Sequence, residues 1–219
     1  MSTPLPGYFI VLEGLDGSGT TTQSSLLCAE LERQNFPTTR TFEPSAGPVG
    51  QLIRQALQHR LVAPTGAPHA LDWTALALLF AADRMDHLHS TVLPALAAGR
   101  VVVSDRYRLS SFIYQSLTAA DEGDALTWVK ALNGHSRTPD LTVVLGVSAE
   151  EAERRRAARG GERELFEVSS FQARLAQAYL EAERFAPEDH VVHVSAEGPV
   201  EAVTDRILDV VRAALPLLG

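Results

Sequence analysis

Residues 12–23 read LEGLDGSGTTTQ and follow the strand-like run YFIVLEG. A glycine-rich loop between a strand and a helix is the arrangement that cradles phosphate. Gly14, Gly17 and Gly19 let the backbone fold tightly enough for successive N–H groups to face phosphate oxygens, and the helix adds its positive N-terminal end. Ser18, Thr20, Thr21 and Thr22 complete the candidate cradle, with Thr21 where the Mg²⁺-holding hydroxyl of such loops belongs. The lysine expected after the last glycine is replaced by Thr20, which supplies no charge. Losing one preorganised charge costs phosphoryl transfer on the order of 3 to 4 kcal/mol unless another group replaces it.

Two further stretches carry chemistry. SDRYRLSSFIYQ, residues 104–115, follows the apolar run VVV, and ligands of open α/β sheets sit at the carboxyl ends of strands. Asp105 and Arg106 should therefore emerge at the rim that bears the glycine loop. An aspartate there reaches the water shell of a magnesium ion, and an arginine clamps phosphate through its planar fork. In LLFAADRMD, residues 78–86, Phe80 and Arg84 share a helix face. That pair suits a flat heterocycle, although a core phenylalanine beside a surface arginine would explain the same spacing.

The elements that must position these residues alternate. Strand-like runs occur at 8–14, 38–44, 100–105, 141–147 and 190–195, and helical periodicity at 20–34, 48–59, 72–98, 109–133, 149–159, 168–184 and 199–214. The alternation implies right-handed crossovers and a doubly wound α/β fold, a parallel five-stranded sheet flanked by helices. Asp72 is placed to cap the helix beginning WTALALL, and Ser148 and Glu151 have capping-box spacing. Residues 45–50 read as a turn and 59–72 as a longer loop. The run ERRRAARGGERE starts as helix and meets Gly160 and Gly161, which predicts a mobile arginine-bearing flap at about 154–167. Within it, Arg154, Arg155 and Arg156 read as a solvated helix face.

A chain of 219 residues, 45% hydrophobic, accommodates one domain, taken as 1–219. The net charge of −8 argues against nucleic acid or anionic lipid as partners. No signal-peptide pattern stands in MSTPLPGYF and the apolar runs are too short for a membrane span, so the expectation is a cytoplasmic protein. Cys28 is the only cysteine and reads as a buried core thiol. The seven histidines show no metal-binding spacing.

Taken together, GLDGSGTTTQ, the Glu43-Pro44 turn with LIR after it, LLFAADR, SDRYRLSS with its YQ, PDLTVVLGV and the late arginine-containing flap occur in the order found in thymidylate kinases, which the chain resembles over nearly its whole length. The resemblance implies transfer of the γ-phosphoryl group of ATP to dTMP with Mg²⁺. It implies that Asp16 accepts from the 3′-hydroxyl, that Phe80 stacks on thymine and that Arg84 donates to a base carbonyl. Ser111 and Gln115 would finish reading the base edge with Arg54 near, and Tyr114 would crowd the 2′-position. Arg106 would hold the acceptor phosphate, while Glu43, Asp105 and Thr21 would organise the metal. It also implies a homodimer packed through helices, with WTALALLF as a contributor.

Three positions depart from the family pattern. Besides Thr20, Phe42 stands where an arginine usually precedes Glu-Pro, with Arg40 on the same strand face, and Gly146 replaces a frequent aspartate. Members without a basic residue inside the loop tend to use flap arginines catalytically, which makes Arg159 and Arg163 the expected compensators. A decayed site should lose several parts together, whereas this one has changed a single charge, so an active enzyme is the expectation. The alternatives are a non-catalytic nucleotide-binding homologue and a kinase of another deoxynucleotide.

Overall fold

A computed structural model describes residues 7–119, 121–159 and 169–214. Five strands, β1 (Tyr8–Gly14), β2 (Thr38–Phe42), β3 (Val101–Asp105), β4 (Leu141–Gly146) and β5 (Val191–Ser195), form one parallel sheet in the order β2-β3-β1-β4-β5. The apolar, β-branched runs of β1, β3 and β4 are buried on both faces, as a parallel sheet covered by helices requires. On one face Ile10, Leu12, Val101, Val103 and Val143 pack against α1 (Thr20–Arg33) and the C-terminal helix at Val200–Ala214. On the other, the alternate residues Phe9 and Val11 pack with Leu88, Val92 and Tyr107.

The remaining helices are α2 (Pro48–Leu57), α3 (Trp73–His87), α4 (Leu93–Ala97), α5 (Arg108–Thr118), α6 (Glu122–Leu132), α7 (Ala149–Arg159), α8 (Ser169–Leu180), α9 (Ala182–Phe185) and α10 (Val200–Ala214). The helical pattern read at 72–98 is α3, a π-helical turn at Leu88–Val92 and α4 in succession. The one read at 109–133 is broken into α5 and α6, where Asp121 caps the second helix by accepting from Gly123 and Asp124 N–H groups. Asp72 accepts from the Ala75 N–H at 2.8 Å and caps α3 as expected. Ser148 accepts from the Glu151 N–H at 3.2 Å, but the Glu151 carboxylate turns to Arg154 and Arg155, so only half of a capping box forms. Pro48 opens α2 at its first turn, inside the segment read as a turn, because that position needs no N–H donor.

Register aligns the chemistry. Asp105, the last residue of β3, lies beside Leu12 of β1 and Phe42 of β2. Past the strand ends the ladder continues, with Glu43 N–H donating to the Asp105 carbonyl at 3.0 Å and Arg106 N–H to the Leu12 carbonyl at 2.9 Å. The chain leaves β1 towards β2 at one edge and β4 towards β5 at the other, so the loop after β1 lies at a topological switch point. Gly146 has no tight neighbour, and nothing in the structure explains the glycine there. Among the described residues no helix is long and apolar enough to cross a membrane. Ile10 is fully buried between the layers, so Ile10→Ala should lower unfolding free energy by about 3 kcal/mol in urea titration. A loss below about 1 kcal/mol would mean that the sheet can close over the gap.

Candidate active site

A cavity of about 700 Å³ opens at the carboxyl ends of β1, β2 and β3. Its wall contains Asp16, Gly17, Gly19 and Thr20–Thr22 from the glycine loop, Glu43 and Arg54 from the β2–α2 segment, and Phe80 and Arg84 from α3. Asp105, Arg106, Ser111, Tyr114 and Gln115 close it from β3 and α5. Of the expected site residues whose side chains are described, the wall does not include Gly14 and Ser18, which build the loop beneath. Gly14 has φ +154°, and a Cβ there would lie 2.6 Å from Ser18 Oγ and 2.9 Å from the Leu145 carbonyl, so only glycine fits. Ser18 is buried and its hydroxyl has no hydrogen-bond partner among the described residues. Arg163 lies outside the described residues, as does residue 160 onward of the expected flap; Arg159 ends α7, and its side chain is likewise outside the description.

At the loop end of the cavity, Thr21 Oγ1 donates to Asp105 Oδ2 at 2.5 Å. Asp105 forms no salt bridge among the described residues, so a hydroxyl and a carboxylate with hard oxygens stand together beside the phosphate cradle. That donor pair fits Mg²⁺, which is held through one or two carboxylates with substrate phosphates and waters supplying the rest. Glu43, expected beside it, has its carboxylate in an ion pair with Arg84 at 2.8 Å, and His87 Nδ1 lies 3.1 Å away.

Arg84 is 1% exposed, yet it lines the cavity. Besides this ion pair it donates to Asn133 Oδ1, to Ser111 Oγ at 2.9 Å and to the Tyr107 carbonyl at 3.2 Å, while its Nε has no partner among the described residues. Phe80, half-buried one helical turn earlier, flanks the same space. Gln115 is buried, and its carbonyl oxygen, an acceptor, has no hydrogen-bond partner among the described residues. Arg54 donates to the Pro44 and Ser45 carbonyls at 2.7 and 2.6 Å and lies over the Phe42 ring. Arg40 does share the open face of β2 with Phe42, but it reaches Ser24 Oγ and the Thr21 carbonyl at the start of α1.

Arg106 is the hub. Its φ of +69° is unusual for a residue with a side chain, and it turns the chain from β3 into α5. Its guanidinium donates to Asp16, to Ser110 Oγ at 3.0 Å and to Tyr179 Oη at 3.1 Å, and lies over the Tyr114 ring. Tyr114 Oη donates to the other Asp16 oxygen at 3.3 Å.

Behind Arg106 sits a residue that pattern reading missed. Glu13, fully buried, accepts from the Tyr107 and Ser110 N–H groups at 2.9 and 3.1 Å and from Ser110 Oγ at 2.5 Å. A carboxylate in the otherwise apolar strand FIVLEG was the available signal. Burial pushes its pKa up to about 7 against the pull of Arg106 and these donors.

The arginines of α7 also differ from expectation. Arg154 is exposed and paired with Glu151, as a solvated face predicts. Arg155 and Arg156 are half-buried: Arg155 lines the cavity and donates to the Ala196 carbonyl at 3.0 Å, and Arg156 donates to the Asp16 carbonyl and to Gln172 Oε1 at 3.1 Å. The reason is topological, since β4 neighbours β1 and its following helix lands on the loop that β1 feeds.

The folded pKa of Glu13 lies above its ordinary 4.5, so the stability it allows is fully present below that value and is lost as pH rises through about 7. Glu13→Gln cannot ionise and escapes the loss. Relative to the parent, the variant should gain up to about 3 kcal/mol between pH 4 and pH 8 in urea denaturation. A difference independent of pH would show that ionised Glu13 is fully compensated by Arg106 and its donors.

The family model described as thymidylate kinase matches residues 12–207. A protein named probable thymidylate kinase from Pyrococcus abyssi is 36% identical over 209 residues, covering 95% of this chain and 98% of its own. Its namesake from Pyrococcus horikoshii gives the same identity over the same length. Another of that name from Pyrobaculum aerophilum is 38% identical over 198 residues, 90% of this chain and 93% of its own. With the sheet order, the loop at the switch point and these matches across the chain, the protein belongs to the thymidylate kinase family.

Proposed function

We propose that this chain transfers the γ-phosphoryl group of ATP to dTMP, giving dTDP and ADP. The observation that carries the reading is a cavity whose wall brings the glycine loop together with Phe80, Arg84, Arg106 and Tyr114. An oxygen of the dTMP phosphate forms the new bond to the γ-phosphorus as the bond to the bridging oxygen of ADP breaks, so no protein nucleophile is needed. The protein's work is alignment and stabilisation of charge on the transferring group.

Phe80 offers a ring face for thymine, and the open acceptor of Gln115 and the unpaired Nε of Arg84 suit the donors and carbonyls along its edge. Glu43 supports the base pocket by fixing Arg84. Asp16 and Tyr114 stand together where a deoxyribose would lie, and Arg106 between them is placed to take the acceptor phosphate. The Gly17–Thr22 segment would receive the ATP phosphates through its N–H groups. Thr21 and Asp105 would hold Mg²⁺, which when bound supplies charge neutralisation at the phosphate oxygens. Arg155 adds a cation to the wall, and Arg159 and Arg163 are proposed to close over the phosphates from the flap, limiting attack by water. A cytoplasmic location is proposed with this chemistry, in keeping with the lack of any helix long and apolar enough to cross a membrane among the described residues. A homodimer is proposed through the helices beside the cavity, supported by Leu78 of α3, which is 51% exposed.

Purified protein with ATP, Mg²⁺ and dTMP should release ADP at about 1 s⁻¹ or faster, and only in the presence of dTMP. Binding of both nucleotides without such release would favour the non-catalytic alternative. Phe80→Ala should raise the KM for dTMP about tenfold with the KM for ATP within about twofold. Indifference to Phe80→Ala, with faster turnover of another deoxynucleotide, would favour the other alternative. Light scattering should return about twice the chain mass of 23.7 kDa, and a monomer at working concentration would exclude the dimer.

A further inference from the structure

Without a lysine in the glycine loop, the contact between that loop and α7 acquires a second meaning. Ala152 and Arg156, one turn apart, present the same face of α7 to the loop. A Cβ built on Gly17 would lie 2.4 Å from the Ala152 carbonyl oxygen and 3.2 Å from Arg156 Cγ, and Gly17 has φ +94°. Helix and loop are thus in direct backbone contact, a closeness that only glycine allows. At this contact the Arg156 guanidinium donates to the Asp16 carbonyl, with Gln172 of α8 accepting from the same nitrogen.

In a trans peptide the N–H points opposite to the C=O. Holding the Asp16 carbonyl against α7 therefore turns the Gly17 N–H away from α7, and Gly17 lines the cavity. Arg156 itself is absent from the cavity wall, and its guanidinium meets the cavity only through the Asp16–Gly17 peptide that it holds. We infer that Arg156 is a positioning residue for the nucleoside triphosphate: it fixes the Asp16–Gly17 peptide so that the loop's own N–H groups supply what the absent lysine would have supplied directly. The inference rests on the reading of this cavity as a kinase site and adds to it a group, drawn from the helix after β4, that no part of the loop pattern reveals.

The test is ATP binding by calorimetry in the absence of dTMP, which reads this contact whether or not turnover is observed. Arg156→Ala should weaken ATP binding about tenfold, the scale of one charge-assisted hydrogen bond, and Arg156→Lys should recover most of the loss. With Thr20→Lys already present, a lysine meets the phosphates directly, and the same Arg156→Ala change should cost less than about threefold. A support that merely keeps α7 folded would cost the same in both backgrounds, and that result would overturn the inference. Unchanged ATP affinity in Arg156→Ala would overturn it as well. If Arg156→Ala lowers the melting temperature enough to obscure binding, Arg156→Gln, which keeps a donor but no charge, replaces it in both backgrounds under the same criteria. Absence of dTMP-dependent ADP release in the parent would count against the kinase reading and leave the binding comparison standing.

Discussion

The parallel register that sets Leu12, Asp105 and Phe42 side by side is the constraint on which the rest of the molecule depends. It delivers three connecting segments to one rim at one height: the glycine loop after β1, the Glu43 segment after β2 and the Arg106 turn after β3. The hydrogen bond from Arg106 N–H to the Leu12 carbonyl extends the ladder past the strand ends, so the first residues of the site have the rigidity of sheet. A shift of β3 by one residue would exchange the faces of its side chains and move Asp105 away from Thr21.

An acidic chain that handles polyanions must concentrate its positive charge, and it does so here by tethering arginines. Arg40, Arg54, Arg84, Arg106 and Arg155 all reach the cavity wall, and each is held by carboxylates, hydroxyls or carbonyls of neighbouring elements. Such tethering removes rotamer freedom before any ligand arrives, and the ion pairs with Glu43 and Asp16 keep the planar forks of Arg84 and Arg106 oriented. The left-handed turn at Arg106 is held in the same way, through the buried carboxyl of Glu13 accepting from the N–H groups of Tyr107 and Ser110 beyond it.

Much of this was legible in the sequence because it follows from short-range rules. Strand runs, the Asp72 cap, the glycine loop and the shared face of Phe80 and Arg84 depend on residues within a turn or a strand of each other. What was not legible depends on neighbours distant in the chain. Nothing local distinguishes Arg155 and Arg156 from Arg154 in a run of three arginines; only the adjacency of β4 to β1 turns two of them inward. Glu13 looks like an ordinary member of a loop pattern until Ser110 and Tyr179 close over it. Glu43 sits at the expected rim, but its buried partners Arg84 and His87, both from α3, decide where its carboxylate points.

Asp16 is gripped twice, its carboxylate by Arg106 and Tyr114 from the α5 side and its carbonyl by Arg156 from α7. One residue thereby belongs mechanically to both halves of the cavity. An occupant that reorganises the Arg106 side alters the free energy of the peptide facing the other half, and linkage requires the influence to be equal in return. The Asp16 peptide is in this sense a hinge pin shared by the two halves of the cavity.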